Sequence, residues 1–136
     1  MFQKIYLISL LRGHFEKNFF IWRSVITDKL KVVVLGSNSF SGADFIDLLL
    51  ERGRYSVTGV SRSPEKGECF LPYKRRSDIG FRFHQMDFNN DMDRIIALLN
   101  SIQPEYVVNF AAQSEVGPSW NFPEQWFQTN TVALTR

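Results

Sequence analysis

Gly36-Ser-Asn-Ser-Phe-Ser-Gly42 stands between an apolar run that stops at Gly36 and a stretch of helical periodicity that starts at Gly42. The first turn of a helix leaves backbone N–H groups unpaired and carries partial positive charge, and glycines let the backbone approach a ligand closely. A segment of this kind suits an anion such as a pyrophosphate. Two glycines six apart carry little information alone; their position at a strand-to-helix junction gives them weight. The plainer alternative is that Gly36 and Gly42 only allow the turn and close packing of the helix.

Two further places have chemistry to offer. The second apolar strand ends in Val60-Ser61-Arg62. With a dinucleotide at Gly36, this end meets the adenosine ribose, where an acid favours NAD and an arginine receives the extra phosphate of NADP. Arg62 is therefore the expected NADP determinant, against the alternative of an ordinary solvated arginine. After the third strand comes Met86-Asp87-Phe88. Either Asp87 accepts the adenine amino group with Phe88 packed near the ring, or Asp87 is a turn residue before a helix cap at Asn90.

The elements that must position these residues follow from hydrophobic periodicity. Lys31 to Leu35 is a short β-branched apolar run, as expected of a strand buried on both faces. Gly42 to Arg52 places Phe45, Ile46, Leu48, Leu49 and Leu50 on a broad apolar face, and Gly53 suits a left-handed helix end. Strands at Tyr55–Val60, Phe81–Met86 and Tyr106–Phe110 and helices at Asp91–Ser101 and Pro123–Leu134 complete the series. Alternation of this kind predicts right-handed βαβ crossovers in an α/β, Rossmann-like, doubly wound parallel sheet with strand order 3-2-1-4. The long segment from Arg62 to Gly80 holds Lys74-Arg75-Arg76 and reads as a solvated loop, with phosphate contact as the second meaning.

Length and charge bound the rest. A chain of 136 residues suits one domain and excludes a two-domain enzyme. Its single cysteine, Cys69, excludes a disulfide scaffold or a cysteine-rich zinc site and is compatible with a reducing, cytoplasmic setting. The net charge of +2 divides unevenly: residues 1–31 carry +4, and the remainder carries −2. The basic excess thus belongs to the N-terminal stretch, and no basic-aromatic stripe of a nucleic-acid binder accompanies it. Residues 1–30 read as a poorly ordered extension or as an assigned start too far upstream, with Val25 or Leu30 as alternative starts. The run Ile5 to Leu11 is too short to span a membrane and lacks a signal cleavage site, although an interfacial amphipathic helix is conceivable there. A membrane partner is not expected.

The series from Val32 to Arg62, the Asp87-Phe88 pair, and above all Asn109-Phe-Ala-Ala-Gln-Ser-Glu-Val-Gly-Pro-Ser-Trp120, followed by Asn130-Thr-Val-Ala133, resemble the extended short-chain dehydrogenase/reductases that modify nucleotide sugars. The likeness is to the NAD-dependent epimerase/dehydratases, in particular the GDP-mannose 4,6-dehydratases, and runs from about Lys31 to Arg136. It implies that Gly36, Ser39, Phe40 and Gly42 frame the pyrophosphate and that Arg62 meets the ribose. It further implies that Asp87 and Phe88 flank adenine, that Phe110, Ala111 and Ala112 form a wall after the fourth strand, and that Ser114 lies near nicotinamide and sugar. The implied cofactor is NADP, or NAD; the implied partners are a nucleotide sugar and further copies of the chain.

Two departures qualify the likeness. Ser39 stands where the family usually has glycine, which a single Cβ permits if φ is negative. The family also uses a Tyr-x-x-x-Lys pair, the lysine lowering the tyrosine pKa so that the phenolate takes a hydroxyl proton. Here Tyr6, Tyr55, Tyr73 and Tyr106 are followed at that spacing by Leu10, Gly59, Ser77 and Phe110. The resemblance therefore implies the cofactor-binding, N-terminal part of such an enzyme: a cofactor domain at 31–136 with an incomplete sheet and no catalytic residues. A noncatalytic dinucleotide-binding module and a nonfunctional fragment are the alternatives.

Overall fold

The computed structural model describes residues 29–76 and 80–136. Four strands, β1 (Leu30–Leu35), β2 (Tyr55–Ser61), β3 (Phe81–Gln85) and β4 (Tyr106–Asn109), form one sheet in the order β3-β2-β1-β4, and every pairing is parallel. The fold is α/β and Rossmann-like. Helices α1 (Phe40–Glu51) and α2 (Met92–Ile102) cover opposite faces, as connections between parallel strands require.

The uninterrupted apolar run of β1 is explained by these two layers. Val32 and Val34 point into one core with Ala43, Ile46 and Leu49 of α1, while Val33 and Leu35 point into the other with Phe88, Ile95 and Ala133. Gly59 brings β2 against its neighbours: a Cβ there would lie 2.7 Å from both Ser37 Cβ and Phe81 Cζ.

Several boundaries differ from the sequence reading. The first helix begins at Phe40 with Ser39 as its N-cap; Ser39 Oγ accepts from Gly42 N at 3.1 Å. Gly53 takes the left-handed conformation (φ 67°) just past the helix, as expected. The cap of α2 is Asp91 rather than Asn90. Asp91 Oδ2 accepts from the Asp87 backbone N at 2.9 Å, and Asn90 Nδ2 is occupied with Asp87 Oδ2.

The stretch Pro123–Leu134 is a continuous right-handed helical run, as expected, whose hydrogen-bond pattern changes along its length. It divides into α4 (Pro123–Phe127), a π turn (Gln128–Val132) and a 3-10 turn (Ala133–Thr135), and a short α3 (Val116–Asn121) precedes it. Within the π turn, the Asn130 side chain pairs with the backbone of Gln113, accepting from N at 2.8 Å and donating to O at 2.9 Å. These bonds fasten the run to the chain after β4.

The segment after Arg62 is more anchored than a solvated loop. It contains a 3-10 turn at Pro72–Arg75, and Leu71 and Tyr73 are buried in the α1 layer. Lys74 pairs with Glu65, and Arg76 pairs with Asp47 of α1. The expectations for residues 1–28 lie outside the described residues.

Candidate functional site

At the carboxyl ends of the strands, a cavity of about 430 Å³ opens between the turn after β1 and the chain after β4. This is the point where the strand order reverses, the usual place for a ligand in an open α/β sheet, and the volume falls within the roughly 300–1,000 Å³ common for small-molecule sites. Of the eleven residues singled out from sequence, nine line it: Gly36, Ser39, Arg62, Asp87, Phe88, Phe110, Ala111, Ala112 and Ser114.

Phe40 and Gly42 do not line it. Phe40 is 85% exposed, with its ring in solvent at the start of α1. Gly42 is buried, and a Cβ on it would strike the Gly36 carbonyl. Gly42 thus packs closely at the helix start. Gly36 lines the cavity at φ 80° and leaves room for the backbone of Phe110 and Ala111. Ser39 has φ −73°, which any residue adopts, so its Cβ adds no strain to the turn. Its hydroxyl donates to the Gly36 carbonyl at 2.7 Å.

Asp87 lines the cavity and is also a turn residue. Oδ1 accepts from Asn89 N and Oδ2 from Asn90 Nδ2, both at 3.0 Å. Phe88 is only 8% exposed and belongs chiefly to the α2 core. Arg62 is exposed at the rim and lies with Lys66 on the side formed by the end of β2. Glu65, three residues on, is taken by the Tyr73 hydroxyl at 3.0 Å and Lys74 Nζ at 2.8 Å.

This arrangement can cradle a long, anionic ligand across a glycine turn, with cations at one end. The family model for GDP-mannose 4,6 dehydratase matches residues 33–136. The chain belongs to that family.

Other similarities agree with this membership. The GDP-mannose 4,6-dehydratase of Vibrio cholerae serotype O1 is 25% identical over 114 residues, which cover 80% of this chain and 30% of that protein. Protein CapI of Staphylococcus aureus is 30% identical over 108 residues, covering 77% of this chain and 32% of that one. Among solved structures, a UDP-glucose-4-epimerase from Stenotrophomonas maltophila with bound NAD and formylated UDP-arabinopyranose superposes with a TM-score of 0.67 at 24% identity. That likeness, over 78% of this chain and 31% of the other, concerns the fold. This family member spans about a third of the length of these relatives.

In this member of the family, sequence reasoning passed over several residues of the cavity wall: Asn38, Ser63, Lys66, Gln113, Glu115 and Thr129. Asn38 lies inside the glycine turn itself, so its place there was a usable signal. Thr129 had none, since its place in the wall comes from hydrogen bonds with Asn89 and Gln113, 40 and 16 positions away.

Proposed function

We propose that this chain is the dinucleotide-binding part of a nucleotide-sugar 4,6-dehydratase or epimerase and that its cavity takes NADP, or NAD, in an extended pose. The observation that carries the reading is the convergence of nine residues, spread from Gly36 to Ser114, on one cavity at the sheet's switch point. The pyrophosphate is assigned to the turn at Gly36 and Ser39, the adenosine ribose to Arg62, adenine to the Asp87 side, and nicotinamide to the Ser114 side. The turn fits such a group through the start of α1: the backbone N–H groups of Gly36, Ser37, Asn38 and Ser39 are spent on Val60 O, Ser61 Oγ and Gly36 O, which leaves the first-turn N–H groups of Phe40 and Ser41 for a phosphate.

When bound, a nicotinamide supplies the hydride acceptor for oxidising a sugar carbon. The chain's own residues bind and orient it. Arg62 and Lys66 on the rim, with Glu65 already paired, support NADP. Several similar solved structures are described with NAD, so NAD is the alternative arm of the test. A second reading is a dinucleotide-binding module without turnover of its own. Exposed apolar groups at Tyr106, Val107, Trp120 and Phe127 support association with further copies.

Titration of the folded chain with NADP and with NAD, followed by calorimetry, tests the reading. Saturable binding is expected, with Arg62→Ala weakening NADP about tenfold and NAD little. A folded sample that binds neither dinucleotide removes both readings. Incubation with GDP-mannose and the cofactor is expected to yield no product from this chain alone, and turnover would overturn the module.

A further inference from the structure

We infer that Asn38 is a positioning residue for cofactor selectivity: it fastens the chain after β2 to the turn after β1 and so holds Arg62 at the ribose end of the cavity. The inference rests on the proposed dinucleotide reading of that cavity.

The observations are a set of bonds that all converge on the three residues around Arg62. The backbone N of Asn38 donates to Ser61 Oγ at 3.0 Å. Its side-chain Nδ2 is shared among the carbonyl of Ser63 at 3.1 Å, the hydroxyl of Ser63 at 3.0 Å and the carbonyl of Pro64 at 2.8 Å. From the other side, Gln85 Nε2 of β3 donates to the carbonyl of Arg62 itself at 3.1 Å. Ser37, fully buried, adds a contact of 3.4 Å to Ser61 Oγ. The backbone on each side of Arg62 is therefore tied down, while its side chain forms no ion pair with the described residues.

Burial sharpens the role. Asn38 is 6% exposed, and its Oδ1 is buried with no hydrogen-bond partner among the described residues. An unpaired buried acceptor is unfavourable, so the value of this side chain lies in its donors. Those donors reach only the segment that carries Arg62. The carbonyl acceptors fix which way the amide faces, because Nδ2 alone can donate to them.

The consequence is preorganisation. Arg62 begins a connection to the 3-10 turn at Pro72 that has no strand or helix of its own. Without the tether, the guanidinium has to be ordered when the ligand arrives, and the entropy lost then weakens binding. Only a ligand that uses Arg62 feels this loss. A 2′-phosphate on the adenosine ribose uses it, and a free 2′-hydroxyl does not.

Two measurements test the tether. In the free chain, NMR backbone order parameters at Arg62, Ser63, Glu65 and Lys66 are expected to fall in Asn38→Ala, while those of β1 and α1 stay as in the wild type. In titrations, Asn38→Ala is expected to weaken NADP about tenfold and NAD less than about twofold, and to add nothing further in an Arg62→Ala background. Asn38→Leu, which keeps about the size of the side chain and loses the donors without adding a charge, provides the same readings if the alanine variant does not fold. Equal weakening of NADP and NAD, or additive effects with Arg62→Ala, overturns the selectivity role. Unchanged order parameters at these residues overturn the tether even if the cofactor binds. A folded wild type that binds neither dinucleotide overturns the cavity reading and the selectivity role together, while its order parameters still judge the tether.

Discussion

Ala111 lies so close to Gly36 that no β-carbon fits between them: one built on Gly36 would meet Ala111 N and the carbonyl group of Phe110, and Gly36 also has φ 80°. The turn after β1 and the exit of β4 thus share a backbone-to-backbone contact at the floor of the cavity. Gly36→Ala is expected to destabilise the chain by about 3 kcal/mol or more, combining a disfavoured conformation with a steric clash. The urea unfolding midpoint measures this, and a loss below about 0.5 kcal/mol would contradict the contact.

Ser39 tests the start of α1. Its Oγ accepts from Gly42 N at 3.1 Å and donates to Gly36 O at 2.7 Å. Ser39→Ala removes the cap and should cost about 1 kcal/mol, whereas Ser39→Gly should cost only a few tenths. Because the glycine variant also widens the approach to the turn, its dinucleotide affinity should equal or exceed that of the wild type. Weaker binding would show that the hydroxyl itself holds the phosphates.

Tyr73 predicts an alkaline limb. Burial, first, and the hydrogen bond to Glu65, second, raise its pKa well above the ordinary tyrosine value. A raised folded-state pKa means stability that is fully present below the unfolded pKa, about 10, and is lost as pH rises beyond it. Melting temperatures from pH 8 to 11 should therefore fall more steeply for the wild type than for Tyr73→Phe. At pH 7 the phenylalanine variant should be less stable by about 0.5–1.5 kcal/mol. Parallel alkaline profiles would show that Tyr73 ionises freely in the fold.

The opposite sign applies to Asp47. The hydrogen-bonded Arg76 guanidinium beside it holds its carboxyl below the ordinary aspartate value, against a smaller opposing effect of burial. A depressed folded-state pKa gives stability that is present above the unfolded pKa, about 3.9, and disappears as pH falls below it. Asp47→Asn should lower the urea midpoint at pH 7, and the difference from the wild type should close as pH falls below about 4. A gap that persists at low pH would assign the effect to packing instead of charge. The pair also fastens the chain after Leu71 to α1, so the variant should raise proteolytic cleavage in that region.

The strands and their order were readable because one physical constraint wrote both. A strand covered on two faces must be apolar throughout, and Val32, Val33, Val34 and Leu35 are all buried, alternating between the two cores. Parallel pairing and right-handed crossovers then leave few topologies, and the carboxyl ends of the strands become the site in any of them. Gly36, Arg62 and Asp87 could be assigned to one place for that reason, and Phe110 joined them through the family resemblance.

What sequence by itself could not supply was the choice among side-chain partners. Periodicity read Pro123–Leu134 as one helix because it averages over an apolar face; it carries no information on Asn130 pairing with Gln113, 17 residues away. Asn38 is an ordinary turn residue until its amide meets Ser63 and Pro64, 25 and 26 positions on. Phe40 and Gly42 were grouped with the cavity because they share its motif, yet the first turn of α1 leaves the Phe40 ring exposed and Gly42 against the Gly36 carbonyl. The sequence determined the sheet, its order and the location of a glycine turn, since burial and chain connectivity are local and repetitive. Only the tertiary structure decided which polar groups hold that turn in place, because a hydrogen bond depends on distances of a few tenths of an ångström between segments far apart in the chain.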